Sequence, residues 1–184
     1  MDTIPKGLRA DVLLLGSGSS RERRLLVGGR SDWSDQTVVA VDIEPRHNPD
    51  VVWDLDTTPW PFDDNCAEEI HAYEILEHLG KQGDAASFFR HFYECWRILK
   101  PDGHLAATCP SWNSQWAWGD PGHTRVLTIG SLSFLSQQIY KDDIGKTTMS
   151  DYRSMWRGDF EKVAAQEAKE RFAFVLRAIK PVRS

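Results

Sequence analysis

The stretch Val12-Leu-Leu-Leu-Gly-Ser-Gly-Ser-Ser20 decides how the rest of the chain is read. Its continuous apolar run suits a strand buried on both faces, as in a parallel sheet. Gly16 and Gly18 follow at once. Residues without a Cβ let the backbone turn through φ > 0 and approach a ligand closely. Arg21-Glu-Arg-Arg-Leu-Leu-Val27, stopped by Gly28-Gly29, is predicted as a short helix. Strand, glycine loop and helix make the opening unit of an open α/β sheet, whose ligand crevice lies at the carboxyl end of the first strand.

Working outward, Val38-Val-Ala-Val41 reads as a second buried strand closing on Asp42. An acidic residue there, roughly 20 residues beyond the loop, accepts hydrogen bonds from ribose hydroxyls. The alternative is an acidic turn residue. Val51-Val-Trp53, Ile70–Tyr73 and His104–Cys109 are predicted as the third, fourth and fifth strands. Between the last two, Asp84–Leu99 is an amphipathic helix. Its Phe88, Phe89, Phe92, Trp96 and Leu99 form one apolar stripe for the core. Lys100-Pro-Asp-Gly103 is a turn, and Leu127–Tyr140 a further helix. Phe160–Ala168 and Arg171–Lys180 are strands joined by so short a connection that they must run antiparallel. Met1–Asp11 is a lead-in. The pattern predicts a doubly wound, three-layer α/β/α fold forming one domain over residues 1–184. The terminal strand pair offers an edge for dimerisation, so monomer and homodimer both stand open.

A chain of 184 residues with 41% hydrophobic and 27% charged residues matches one ordinary globular domain. No apolar run approaches the roughly 20 residues of a membrane span, and the N-terminus lacks a signal-peptide pattern. Three cysteines, Cys66, Cys95 and Cys109, are scattered without ligand spacing. They read as reduced thiols of a cytoplasmic protein, not as disulfides or a zinc site, and no metal is expected. A net charge of -5 argues against a broad nucleic-acid surface.

Two histidines are candidate bases. His78 follows the fourth strand, and His123 lies in the loop after the fifth. His123 and Arg125 either orient an anionic or hydroxylated acceptor or simply pack that loop. Trp112, Trp116 and Trp118 either wall an acceptor pocket or plug the loop onto the core. His71 reads as a hydrogen-bonded core residue, Glu77 as the partner of a neighbouring cation, and Arg21, Arg23 and Arg24 as a solvated helix face.

These residues together resemble a class I S-adenosylmethionine-dependent methyltransferase of the small Methyltransf_11-like kind. The resemblance rests on Val12–Ser20, Val41-Asp42, Trp53-Asp-Leu-Asp56 with Pro59-Trp-Pro-Phe-Asp-Asp-Asn65, and Glu74-Ile-Leu-Glu-His-Leu79. It continues through Trp96-Arg-Ile-Leu-Lys-Pro-Asp-Gly103, Asp120-Pro-Gly-His-Thr-Arg125 and Ser131-Leu-Ser-Phe-Leu135. It implies a Rossmann-like, seven-stranded, mostly parallel sheet with an antiparallel C-terminal strand. It implies Gly16, Ser17 and Gly18 against the methionyl part of S-adenosyl-L-methionine and Asp42 on its ribose. The Ile43 backbone would lie beside the adenine, and the Asp54 side chain and Leu55 amide on the adenine edge. Glu74 would face the methionine end or the acceptor. The implied reaction is in-line transfer of a methyl group to an O, N or C atom of a small-molecule acceptor, leaving S-adenosyl-L-homocysteine. The sequence departs from the family in its short first helix and in Arg21 after the loop, which leave the cofactor less covered.

Three other readings compete. A nicotinamide-dependent dehydrogenase wants a small residue where Arg21 stands. A base-amino DNA methyltransferase wants an Asn/Asp-Pro-Pro-Tyr/Phe run where Glu74-Ile-Leu-Glu77 stands. A catalytically silent S-adenosylmethionine-binding module, acting as a partner subunit, shares every cofactor residue and is the main alternative.

Overall fold

A computed structural model describes residues 10–183, so the expected lead-in falls, up to residue 9, outside the described residues. Seven strands form one sheet: β1 (Val12–Leu15), β2 (Val38–Asp42), β3 (Val51–Val52), β4 (Ala67–Tyr73), β5 (Leu99–Pro110), β6 (Phe160–Glu167) and β7 (Arg171–Ala178). Their spatial order is β3-β2-β1-β4-β5-β7-β6. β7 alone runs against its neighbours, pairing antiparallel with both β5 and β6. This is the expected Rossmann-like arrangement. The chain steps outward from β1 to β2 and β3, then crosses to β4 on the other side. The reversal point therefore lies between β1 and β4, the place where open α/β sheets bind ligands.

One sheet face is apolar. Leu13, Leu15, Ile70, Ala72, Leu105, Ala107, Phe172, Phe174 and Leu176 recur at alternate positions and are all buried. Helix α1 (Ala85–Ile98) covers them with Phe89, Phe92, Cys95 and Ile98. It starts where expected because the Asp84 carboxylate accepts from the Ser87 amide at 3.1 Å, a standard N-cap.

The other face is polar at its centre, and here the predicted first helix is absent. Arg21–Val27 is irregular and turns back at Gly28-Gly29. Glu69, His71 and Tyr73 of β4 point to this face, and the segment is bonded to them instead of to itself. The Arg23 guanidinium meets the Glu69 carboxylate at 2.6 Å. The Tyr73 hydroxyl accepts from the Arg24 and Leu25 amides at 3.1 and 3.2 Å. Those are amides that a helix would commit to its own carbonyls, and a seven-residue helix is too short to hold itself against such competition. Arg23 is thus buried and ion-paired, not solvated as expected. Arg21 lies at the surface beside Asp50, and Arg24 stacks over Tyr73. His71 is a buried, hydrogen-bonded core residue, as expected, between Glu69 and Tyr73. Burial pushes Glu69 up, but the His71 ring and the Arg23 charge together outweigh it and hold the carboxyl below its ordinary range.

Two other expectations change at their edges. Leu127–Tyr140 is not one helix but two, α3 (Ile129–Ser133) and α4 (Gln137–Asp142). The Leu135 carbonyl, which a continuous helix would use, accepts instead from the Phe160 amide at 2.8 Å and Trp156 Nε1 at 3.1 Å. β5 runs through the expected Lys100–Gly103 turn, which sits in the strand as an irregularity opposite Ala67 and Glu69. A short α2 (Gln115–Gly119) follows β5. Among the described residues no helix is long and apolar enough to cross a membrane, and Cys66, Cys95 and Cys109 are free thiols.

Arg23→Met takes the buried cation from Glu69 and leaves it His71 and, at 3.6 Å, Arg30, so urea denaturation at neutral pH should show a loss of about 1.5–3 kcal/mol. Arg21→Met, at the exposed pair, should lose less than about 1 kcal/mol. Equal losses would remove Glu69 as the reason for the irregular segment.

Candidate active site

The carboxyl ends of β1, β2 and β4 meet in register, with Leu15 opposite both Val41 and Ala72. The loop after β1 is therefore flanked by the residues that follow β2 and β4. Gly16 has φ +58 and Gly18 φ +54, conformations that disfavour any side chain. A Cβ on Gly16 would lie 2.5 Å from Ile75 Cγ1, so this glycine lets the segment after β4 pack directly on the loop. A Cβ on Gly18 would meet nothing within 4 Å, which leaves that side of the loop open. Ser17 is buried, and its amide donates to the Val41 carbonyl at 3.2 Å.

Asp42 ties the second strand to this loop. Its Oδ2 accepts from the Gly18 amide at 2.7 Å, and its Oδ1 accepts from the Glu44 amide at 2.9 Å. Burial raises its pKa, but those two amides and His47 prevail, so the carboxyl is held below its ordinary range and is ionised at neutral pH. His47 Nδ1 lies 3.2 Å from the same Oδ1, so the lone pair left to offer is on Oδ2. Ile43 beside it is 64% exposed. Asp54 closes its own turn by accepting from the Asp56 amide at 2.9 Å, and Leu55 is buried. The neighbouring Asp56 reaches the segment after β4, accepting from the Gly80 amide at 3.0 Å.

That segment carries the reactive groups. Glu74 has φ +54, donates its amide to the Thr108 carbonyl at 2.8 Å, and has a buried Oε1 without a hydrogen-bond partner. Its nearest cation is Arg171, with Nε at 3.7 Å. Glu77 is 2% exposed, and neither carboxylate oxygen has a hydrogen-bond partner among the described residues. Among the described residues no cation pairs with it, contrary to expectation. Burial, with Glu74 and Asp120 close by, pushes its pKa up to about 8. The Asp120–Arg125 loop returns onto this segment because the Thr124 and Arg125 amides donate to the Glu77 carbonyl at 2.9 and 3.1 Å. His78 and His123 are thereby brought edge to face, with ring centroids 4.7 Å apart. The His78 Nδ1 lies 3.0 Å from the Gly122 carbonyl, and the His123 Nδ1 2.8 Å from the Trp116 carbonyl. A carbonyl only accepts, so both Nδ1 atoms carry the proton and each Nε2 presents a lone pair, that of His123 lying 3.9 Å from Asp120 Oδ2.

Arg125 makes the contacts of loop packing, one of the two roles its sequence leaves open. It is 6% exposed and donates to the Lys81 and Asp84 carbonyls and, at 2.8 Å, to Ser87 Oγ, with its guanidinium over Phe88. It fastens the loop to the start of α1. Trp112, Trp116 and Trp118 are 53%, 57% and 69% exposed, so they do not plug the core. Trp118 Nε1 donates to the Trp112 carbonyl at 2.8 Å, which ties those two together at the surface. On the far side of Arg125, a cavity of about 230 Å³ is lined by Phe88, Phe89, Phe134 and Tyr152. The convergence of Glu77 on His78 and His123 is the feature that sequence reasoning missed. Its signal was a Glu-His pair directly after a strand together with a third such group in the facing loop.

The seven-stranded sheet with its single antiparallel strand is the fold of the Rossmann-like methyltransferases. Similar solved structures include a SAM-dependent methyltransferase from Archaeoglobus fulgidus, with TM-score 0.55 and 14% identity over 94% of this chain and 87% of that one. Another, from Aquifex aeolicus, gives TM-score 0.54 and 15% identity over 94% and 85%. The N-methyltransferase NodS from Bradyrhizobium japonicum WM9, in complex with S-adenosyl-L-homocysteine, gives 0.51 and 12% over 92% and 78%. No family model matches the chain, and no curated protein matches it significantly.

Substitution should separate the two glycines. Gly18→Ala should lose about 1–2 kcal/mol, the cost of a left-handed alanine. Gly16→Ala should lose about 1–3 kcal/mol more, because Ile75 must move. Thermal melting of the two variants checks the order.

Proposed function

We propose that this protein is an S-adenosylmethionine-dependent methyltransferase of the class I, Methyltransf_11-like kind, acting in the cytoplasm on a small-molecule acceptor. The observation that supports this most strongly is the bond between the Gly18 amide and Asp42. It sets an ionised carboxylate beside a glycine loop whose outer side is open, at the reversal point of the sheet. The residues present fit the cofactor. Gly16, Ser17 and Gly18 would cradle its methionyl part, and Asp42 would accept from the ribose hydroxyls. The Ile43 backbone and the Asp54 and Leu55 turn would border the adenine, with Glu74 at the methionine end.

Bound S-adenosylmethionine supplies an activated methyl group on a sulfonium. The chain's own task is to hold the acceptor in line and to exclude water. The acceptor would approach over the segment after β4, where the Nε2 lone pairs of His78 and His123 can take a proton from it. Arg125 serves this site by fixing the His123 loop, and Trp112 stands on the exposed part of that loop, available to a bound acceptor. The silent-module alternative draws support from one observation, the absence of a helix after the loop. It predicts cofactor binding without turnover.

Calorimetric titration should show saturable binding of S-adenosylmethionine and S-adenosylhomocysteine but not of NAD. Asp42→Ala should weaken S-adenosylhomocysteine binding by about 1–3 kcal/mol. An unchanged dissociation constant would overturn the ribose assignment, and absence of binding to the parent protein would overturn the function.

A further inference from the structure

The least explained group in the molecule is Glu77. A carboxylate in a protein interior is stable only when paired, hydrogen-bonded or protonated, and Glu77 has neither of the first two among the described residues. Glu74 lies beside it, and its own buried Oε1 has no hydrogen-bond partner among the described residues. The groups facing it answer the need in kind. One ligand atom each from Glu77, His78 and His123 lie within 4.8 Å of one another, close enough to share a single ion. Both imidazoles are already set as ligands. Their Nδ1–H groups are committed to the Gly122 and Trp116 carbonyls, the arrangement that fixes tautomer and ring orientation in metal-bound histidines. A Cβ at residue 122 would come within 3.3 Å of the His78 ring, so a glycine keeps this support in place.

We propose that Glu77, His78 and His123 form a binding site for a divalent transition-metal ion. Two nitrogen donors and one carboxylate favour manganese, iron, cobalt, nickel or zinc over magnesium or calcium. Three protein ligands leave coordination positions open, as in sites that engage a substrate. The site deepens the methyltransferase reading, on which it depends for the nature of what the open positions face. With a cation bound, His78 and His123 serve as ligands and not as proton acceptors. The metal-free expectation drawn from cysteine spacing does not bear on this cluster, because it contains no cysteine.

The test uses the full-length protein, stripped with chelator and free of cofactor. Cobalt(II) titrated alone should give a saturable visible absorption at one equivalent, and manganese(II) should lose its free-ion paramagnetic resonance signal on binding. His123→Ala and Glu77→Gln should each weaken cobalt binding at least tenfold. His104→Ala, in the middle of β5, should leave it unchanged. Thermal melting and S-adenosylhomocysteine titration of each variant show that it is folded. Failure of the parent protein to bind cobalt, manganese and zinc would overturn the metal site, as would equal binding by the His123 and Glu77 variants. Retained S-adenosylhomocysteine binding in that case would leave the methyltransferase reading standing. Metal binding without S-adenosylhomocysteine binding would do the reverse.

Discussion

Glu69 places a charge inside a sheet face, and that charge governs what covers the face. Ordinary helix-on-sheet packing needs an apolar surface. β4 instead presents Glu69, His71 and Tyr73 in alternate positions, and their bonds run sideways through one another and outward to Arg23 and the amides of residues 24 and 25. The covering chain must therefore keep its backbone donors free, which an irregular segment does and a helix does not. Trp33 completes the cover, edge-on to His71 and beneath the Arg23 guanidinium. Val27, Ala106 and Val175, with Leu25 beside them, form a small apolar cluster on this side. The thinness of this layer explains why the glycine loop is left open on one side.

The opposite face supplies the rigidity. α1 lies across the apolar side and anchors both flanks of the site. Its first turn receives Arg125 from the loop after β5. Its last turns hold the connection before β4, where Glu94 accepts from the Trp60 amide and Arg97 donates to the Trp60 and Phe62 carbonyls. The candidate site is consequently suspended between strand ends and one helix. Its two histidine-bearing segments are joined by backbone bonds at Glu77, and this lets Glu77 remain buried while its side chain faces the imidazoles.

The sequence was most legible where one period decided the element. The alternation in β7, the apolar runs of β1 and β2, and the stripe with its Asp84 cap in α1 are local signals. The positions of Gly16, Gly18 and Asp42 followed, because strand ends in such a sheet are set by topology. Legibility failed where a distant partner claimed a group. Arg21–Val27 has helix-forming residues, yet Arg23 is claimed by Glu69. Leu127–Tyr140 has helical spacing, yet Phe160 and Trp156 claim the Leu135 carbonyl. Arg125 could not be told from a ligand-binding arginine until Ser87 and the carbonyls around it were located. Glu77, His78 and His123 were each visible, but their meeting depends on two amides of a loop with no periodicity of its own.

The two borders of the sheet share a property that bears on life at high concentration. β3 is only two residues long, too short a template for another strand. β6 is eight residues long, but its pairing with β7 slips between Lys162 and Ala164, and Glu161, Lys162 and Glu167 line it with charge. A kinked, charged border resists zipping onto a neighbouring chain. The terminal pair, which its sequence alone offers as an edge for dimerisation, ends the sheet in that kinked and charged border. Any strand that added there from a crowded neighbour would have to follow the kink and bury those charges.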